Sequence, residues 1–222
     1  MSASPKFEAF VFDLDGTLVD AFEDIRRALN EALRPHGFAP LTLEETKRRV
    51  GNGLRRLMED TAGDRLSHLQ QVEAMIDFTA YYREHIADNT RPYPGIEDVL
   101  KSARAAGVKM AVISNKPDRL TTGILRRLKM KKFFDQVWGQ RPDWPQKPDP
   151  EIIRRVLREL DVAPQRALVI GDGETDMAAG KGAGARVAAC LYGARARSQL
   201  APYEPDFWIE NPRDLLALIP RR

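Results

Sequence analysis

The chain has 222 residues, of which 43% are hydrophobic and 30% charged, a balance that suits one full folded domain and a smaller second one. Basic residues number 35 against 32 acidic ones, a net charge of +3, and the basic pairs are scattered from Arg26-Arg27 to Arg154-Arg155; this argues against a nucleic-acid-binding stripe and favours a small anionic ligand. There is no apolar run of about 18 residues, no signal-like segment in MSASPKFEAF and only one cysteine, Cys190, so membrane spans, secretion and internal disulfides are not expected and a cytoplasmic location is.

The first predicted element is the apolar run Ala9 to Phe12, which reads as a strand buried inside a parallel sheet. Such a strand delivers Asp13 at its C-terminal end, where open α/β sheets hold their ligands. Asp15 stands two positions on, and side chains at i and i+2 leave an extended chain on the same side. One carboxylate can attack while the other handles protons, and an aspartyl-phosphate is a known intermediate of that kind. Gly16 permits a tight turn after them. A lone D-x-D pair would more readily cap a turn, whereas DLDGT directly after a buried strand points to function.

From Asp20, read as an N-cap, a helix is expected to about Pro35, with Phe22, Ile25, Leu29, Ala32 and Leu33 on one face. Thr42 to Glu45 reads as a capping box opening a second helix. Gly51-Asn52-Gly53 breaks it, Leu54 to Thr61 resumes it, and a long helix runs from about Leu66 to Asp88. The Pro- and Gly-rich stretch from Asn89 to Gly95 reads as a hinge. After it, helices alternate with strands at Lys109–Ser114, Gln136–Gly139, Ala167–Gly171, Arg186–Cys190 and Phe207–Ile209, and a helix over Arg213–Ile219 closes the chain. The expected fold class is therefore α/β, a Rossmann-like parallel, doubly wound sheet formed by residues 1–19 and 91–222, with residues 20–90 as an inserted all-helical cap.

Three further strand ends carry chemistry. Ser114 and Asn115 end one strand and lead into a helix, an arrangement whose hydroxyl and backbone N–H groups suit a phosphate. Lys147 is set between Gln146 and Pro148-Asp149-Pro150, just before a helix, and could neutralise charge on Asp13 and on a transferring phosphoryl group. Gly171-Asp172-Gly173-Glu174-Thr175-Asp176 places two more carboxylates after a strand.

FDLDGTLVD, the strand-end Ser114, KPDP and GDGETD occur in that order, and together they resemble the four motifs of the haloacid dehalogenase superfamily, in its phosphatase branch. The resemblance covers nearly the whole chain. It implies a phosphate monoester hydrolase with Asp13 as nucleophile, Asp15 as acid and base, Lys147 and Ser114 on the phosphoryl oxygens, and Mg²⁺ as cofactor. The metal ligands so implied are Asp13, Asp172 and the main-chain carbonyl of Asp15, with Asp176 behind them. TLVDAFEDIRRALN, RRVGNGLRRLM, RPYPG and SNKP further resemble phosphoglycolate phosphatases. The implied partner is a small phosphorylated metabolite, 2-phosphoglycolate first, with neither nucleic acid nor membrane, acting on a monomer or homodimer. Its carboxylate is expected to meet backbone donors of Gly51, Asn52 and Gly53 and a charge from Arg55 or from its neighbours Arg48, Arg49 and Arg56; the alternative is that this turn merely joins two helices. Sugar phosphates, nucleoside monophosphates, pyrophosphate, a β-phosphoglucomutase-like isomerase reaction and a non-catalytic phosphate-sensing role remain the competing readings.

Overall fold

Strand β1 (Ala9–Phe12) is buried along its whole length and pairs on both edges. The structure, a computed structural model, describes residues 7–220. In chain order there follow β2 (Val19–Asp20), α1 (Phe22–Leu33), α2 (Leu43–Arg49), α3 (Gly53–Ala62), α4 (His68–Glu84) and β3 (Arg91–Pro92). The remainder alternates: α5 (Ile96–Ala105), β4 (Lys109–Pro117), α6 (Asp118–Arg127), β5 (Gln136–Gln140), α7 (Glu151–Glu159), β6 (Ala167–Gly171), α8 (Glu174–Ala183), β7 (Arg186–Cys190) and β8 (Phe207–Ile209).

The main sheet has the order β5-β4-β1-β6-β7-β8, and every pair in it is parallel. The chain builds outward from β1 through β4 to β5, then returns to the other edge of β1 with β6. The strand order thus reverses beside β1, which opens a crevice at the carboxyl ends of β1, β4 and β6. The period of two along β1 divides the core: Phe10 and Phe12 enter one hydrophobic cluster, Ala9 and Val11 the other. The first cluster continues without a break into the insert through Ile25, Leu29, Leu57, Met58, Phe78 and Tyr82.

The helical insert follows the predicted grammar with three differences. Thr42 and Ser67 each make a capping box, with Glu45 and Gln70. The long helix is shorter than its periodicity suggested, because Ser67 caps it and His85 ends it. Asp20 is not the N-cap of α1: Ala21 holds that place without a side-chain bond, and Asp20 is drawn instead into β2, which pairs antiparallel with β3. That pair was not visible in the sequence, since two residues carry no period. The segment 212–218 is 3-10 rather than α-helical, opened by Asn211, whose side chain accepts from the Arg213 N–H. Among the described residues, no helix is long and apolar enough to cross a membrane.

A single carboxylate ties the two ends of the insert together. Asp24, buried in the first turn of α1, accepts from Asn89 N, Asn89 Nδ2 at 2.7 Å, Thr90 N at 2.8 Å and Thr90 Oγ1 at 2.6 Å. Burial alone would push its carboxyl up, but the hydrogen bonds from Thr90 and Asn89 outweigh it and hold Asp24 below the ordinary carboxylate value. A lowered value in the folded state means stability that is complete above the unfolded pKa, about 3.9, and is lost as pH falls through the folded one. Asp24→Asn is therefore expected to cost about 2 kcal/mol. Thermal unfolding should read this as a fall of about 4–8 °C at neutral pH, with a shallower loss of stability below about pH 4 than in the unsubstituted protein.

Candidate active site

The crevice beside β1 collects the ends of three strands. Asp13 follows β1 directly, its N–H bonded to Ile170 O at 2.9 Å, so the β1–β6 register sets its position. Gly16, at φ +84, turns the chain back. Ser114 and Asn115 lie within β4, Asp172 follows β6, and Asp176 lies in the first turn of α8. Lys147 comes from the loop before α7 and is almost fully buried.

Electrostatics hold the group together. Lys147 Nζ lies 2.6 Å from Asp176 Oδ1 and 2.9 Å from Asp13 Oδ1. Burial opposes its charge, but Asp13 and Asp176 raise its pKa, so it stays an ammonium. With several carboxylates against one ammonium, the surplus negative charge falls on the carboxylates. Asp172 is pushed up to about 8 by burial and by the charges of Asp13 and Asp176. Asp15 is raised by burial against the pull of Lys116, whose Nζ lies 2.7 Å from Asp15 Oδ2.

These features fit a hard divalent cation. One carboxylate oxygen each from Asp13, Asp172 and Asp176 lie within 4.8 Å of one another. Asp13 Oδ1 is buried and, despite the nearby lysine, has no hydrogen-bond partner. Asp176 is already committed: Lys147 holds Oδ1 and the Gly173 N–H, at 3.0 Å, holds Oδ2. It can orient neighbours more readily than bind an ion. Asp172 is fixed by Ala194 N at 2.6 Å and Thr17 Oγ1 at 3.3 Å. Two glycines cradle it: a Cβ on Gly16 would fall 2.1 Å from Asp172 Oδ2, and one on Gly193 2.4 Å from the same oxygen.

A cleft of about 690 Å³, partly open to solvent, stands over these groups. Asp13, Asp15, Ser114, Asn115, Asp172, Asp176, Gly51 and Gly53 line it. The core and insert meet there through hydrogen bonds that the sequence did not reveal. Asn115 Nδ2 donates to Gly51 O at 3.0 Å and to Lys147 O at 2.8 Å, while its Oδ1 accepts from Lys147 N at 3.0 Å. Both of its N–H donors are used, so Asn115 braces Lys147 against the insert instead of offering a side-chain donor to a ligand. Arg195, in the loop after β7, pairs with Glu174 and donates to Lys47 O and Val50 O, each at 2.9 Å.

Other expectations are corrected by geometry. Gly51 presents its carbonyl to the core, as an acceptor. Asn52 and Arg55 are exposed and do not line the cleft. Arg48 is exposed too, Arg49 turns to the carbonyls of Glu45 and Asp60, and Arg56 pairs with Asp60. Arg49 and Arg56 are thus engaged within the insert itself. The cations that do line the cleft, Lys116 and Arg195, come from the core. Lys116 sat next to a predicted site residue; Arg195 carried no sequence signal. Trp138 and Trp144 stack edge to face at 5.0 Å on the second hydrophobic cluster, and neither lines the cleft.

Glycine packing around Asp172 generates a test. Gly193→Ala forces the Asp172 side chain to move, and divalent-cation affinity, measured by titration calorimetry, is expected to fall about 10–100-fold.

Known proteins resemble the chain throughout. The family model for haloacid dehalogenase-like hydrolases matches residues 10–190. Phosphoglycolate phosphatase 1 of Pseudomonas aeruginosa is 35% identical over 229 residues, covering 97% of this chain and 83% of that protein. The phosphoglycolate phosphatase of Aquifex aeolicus is 35% identical over 210 residues, covering 94% and 95%. Among solved structures, a predicted phosphoglycolate phosphatase from Haemophilus somnus superposes with a TM-score of 0.88 at 26% identity, over 96% of this chain and 97% of that one. CbbY from Rhodobacter sphaeroides, solved in complex with phosphate, gives 0.80 at 26% identity, over 94% and 96%.

Proposed function

The chain belongs to the haloacid dehalogenase-like hydrolase family and is a phosphatase of that family; from that premise we propose that it hydrolyses 2-phosphoglycolate through a phosphorylated Asp13. The observation that carries the mechanism is the Asp13 carboxylate, which lines the cleft with its Oδ1 2.9 Å from the Lys147 ammonium. The names of the relatives support the substrate.

Each residue has a distinct task in this reading. Asp13 attacks the phosphorus in line, forming a bond from its carboxylate oxygen to phosphorus as the bond to the ester oxygen breaks. Asp15, raised above its ordinary value by burial, gives its proton to the departing alkoxide and then takes one from the water that cleaves the aspartyl-phosphate. Asp15 Oδ1, buried and without a partner, is available for both transfers. Ser114 Oγ accepts from Lys116 N at 3.2 Å, which leaves its own O–H to donate to a phosphoryl oxygen. Lys147 balances charge on Asp13 and on the phosphoryl group. Asp13, Asp172 and the main-chain carbonyl of Asp15 would hold Mg²⁺, with Asp176 orienting Lys147 from behind; the all-oxygen set and small number of protein donors suit that ion. When bound, the ion polarises the phosphoryl group and draws off its charge. Residues 20–90 act as the cap that excludes water, hinged where β2 pairs with β3.

The test is phosphate release from a panel of phosphate monoesters with and without Mg²⁺. Release that depends on Mg²⁺ and is concentrated on 2-phosphoglycolate is expected; release spread over other esters would keep the mechanism and discard the substrate, and an isomerised sugar phosphate would replace both. Asp13→Asn is expected to lower kcat by about 10⁴-fold or more. Asp15→Asn should lower it about 10²–10⁴-fold for unactivated esters, and much less for p-nitrophenyl phosphate, whose leaving group needs little help from an acid.

A further inference from the structure

Two cations, Lys116 and Arg195, line the cleft, and they differ in what they have left to offer. Arg195 has its charge matched by Glu174 and donates to two carbonyls of the insert. Lys116 carries three N–H donors. Its ammonium donates to Asp15 Oδ2, at 2.7 Å. The ring of Tyr82 lies 4.5 Å from the ammonium and steadies it through its π face. Tyr82 belongs to α4, so a helix of the insert helps to set the position of a core lysine.

The position of that ammonium bears on the leaving group. The ester oxygen of a substrate must reach Asp15 to receive its proton. In 2-phosphoglycolate a single methylene joins that oxygen to a carboxylate. A cation already within hydrogen-bond distance of Asp15 is therefore within reach of the carboxylate as well. Above it, the cleft wall contributed by the insert is apolar, from Phe22, Ile25, Leu54, Leu57 and Phe78. An ionised carboxylate is not buried against such a wall without a partner. No arginine of the insert lines the cleft, and Arg195 is engaged.

We propose that Lys116 is the specificity residue of the site: it pairs with the carboxylate of the leaving group, so the substrate class is phosphate monoesters of small hydroxy acids. The inference rests on the reading of the chain as a phosphoglycolate phosphatase, and it deepens that reading by assigning the carboxylate to one core lysine rather than to the insert.

The test compares kcat/KM for 2-phosphoglycolate with that for 2-hydroxyethyl phosphate, which replaces the carboxylate by a neutral group of similar size. Both esters release an unactivated alkoxide and depend alike on Asp13 and Asp15, so the ratio isolates the carboxylate. The unsubstituted protein is expected to favour 2-phosphoglycolate on the order of 10²-fold. Lys116→Met should bring the ratio to within about threefold of unity, chiefly by raising KM for 2-phosphoglycolate. Lys116→Arg keeps the charge but spreads it over a planar fork, and should leave an intermediate ratio of about tenfold. Thermal unfolding identifies which variant is folded, and the ratio is read on that one. A variant that slows both esters equally overturns the proposal, because Lys116 would then serve Asp15 alone. A ratio near unity in the unsubstituted protein would instead overturn the phosphoglycolate reading, so the two failures are distinguishable.

Discussion

The contact between the Lys147 ammonium and the carboxylates of Asp13 and Asp176 is the interaction on which the site depends. Three parallel strands end at the same edge of the sheet, and their geometry brings acidic side chains together out of bulk water. Burial first, and then the repulsion of Asp13 and Asp176, raises the value of Asp172. Lys147 offsets part of it, with Asp13 on one side and Asp176 on the other. Removing one partner from a buried ion pair costs about 3–5 kcal/mol, because the survivor is left uncompensated. The site is thus an unfavourable cluster made tolerable by one lysine, with a remaining negative charge that suits a cation.

The support around Lys147 reaches beyond the core. Asn115 clamps the Lys147 backbone from both its N–H and its carbonyl, and the same amide holds Gly51 of the insert. Arg195 does a similar service on the other side of the cleft, joining Glu174, two residues after Asp172, to the carbonyls of Lys47 and Val50. The insert therefore docks through its own carbonyl groups onto two core donors. At the opposite end, Asp24 fastens the start of the insert to its exit. These polar fixings leave the insert's apolar side chains free to form both the shared core and the roof of the cleft.

The carboxylates that gather in the crevice were legible as neighbours in the sequence, because Asp13 and Asp172 follow apolar runs whose strand character is local, and Lys147 was legible from the KPDP turn before a helix. The helices of the insert were legible for the same reason, with Thr42 and Ser67 marking starts that depend on residues three positions apart. Arg55 and its neighbours do not line the cleft, and the sequence did not foretell this because helical periodicity tells which residues share a face, not what that face meets. Lys116 and Arg195 were missed as cleft residues because their partners, Asp15, Glu174, Lys47 and Val50, are remote in sequence or belong to another layer. Arg195 in particular has no apolar period or turn signal around it that distinguishes it from the other arginines.

By itself the sequence determined the α/β alternation, the place of the helical insert and the identity of the residues at the strand ends. Each of these follows from local patterning: short buried runs, helical period, capping residues and turn formers. Only the tertiary structure decided which strands lie side by side, and so which strand ends share one crevice. It alone turned Asn115 into a brace, withdrew the insert's arginines from the cleft and brought Lys116 to Asp15. Those outcomes depend on distances between segments far apart in the chain, set by sheet register and by the seating of the insert, and no local pattern encodes them.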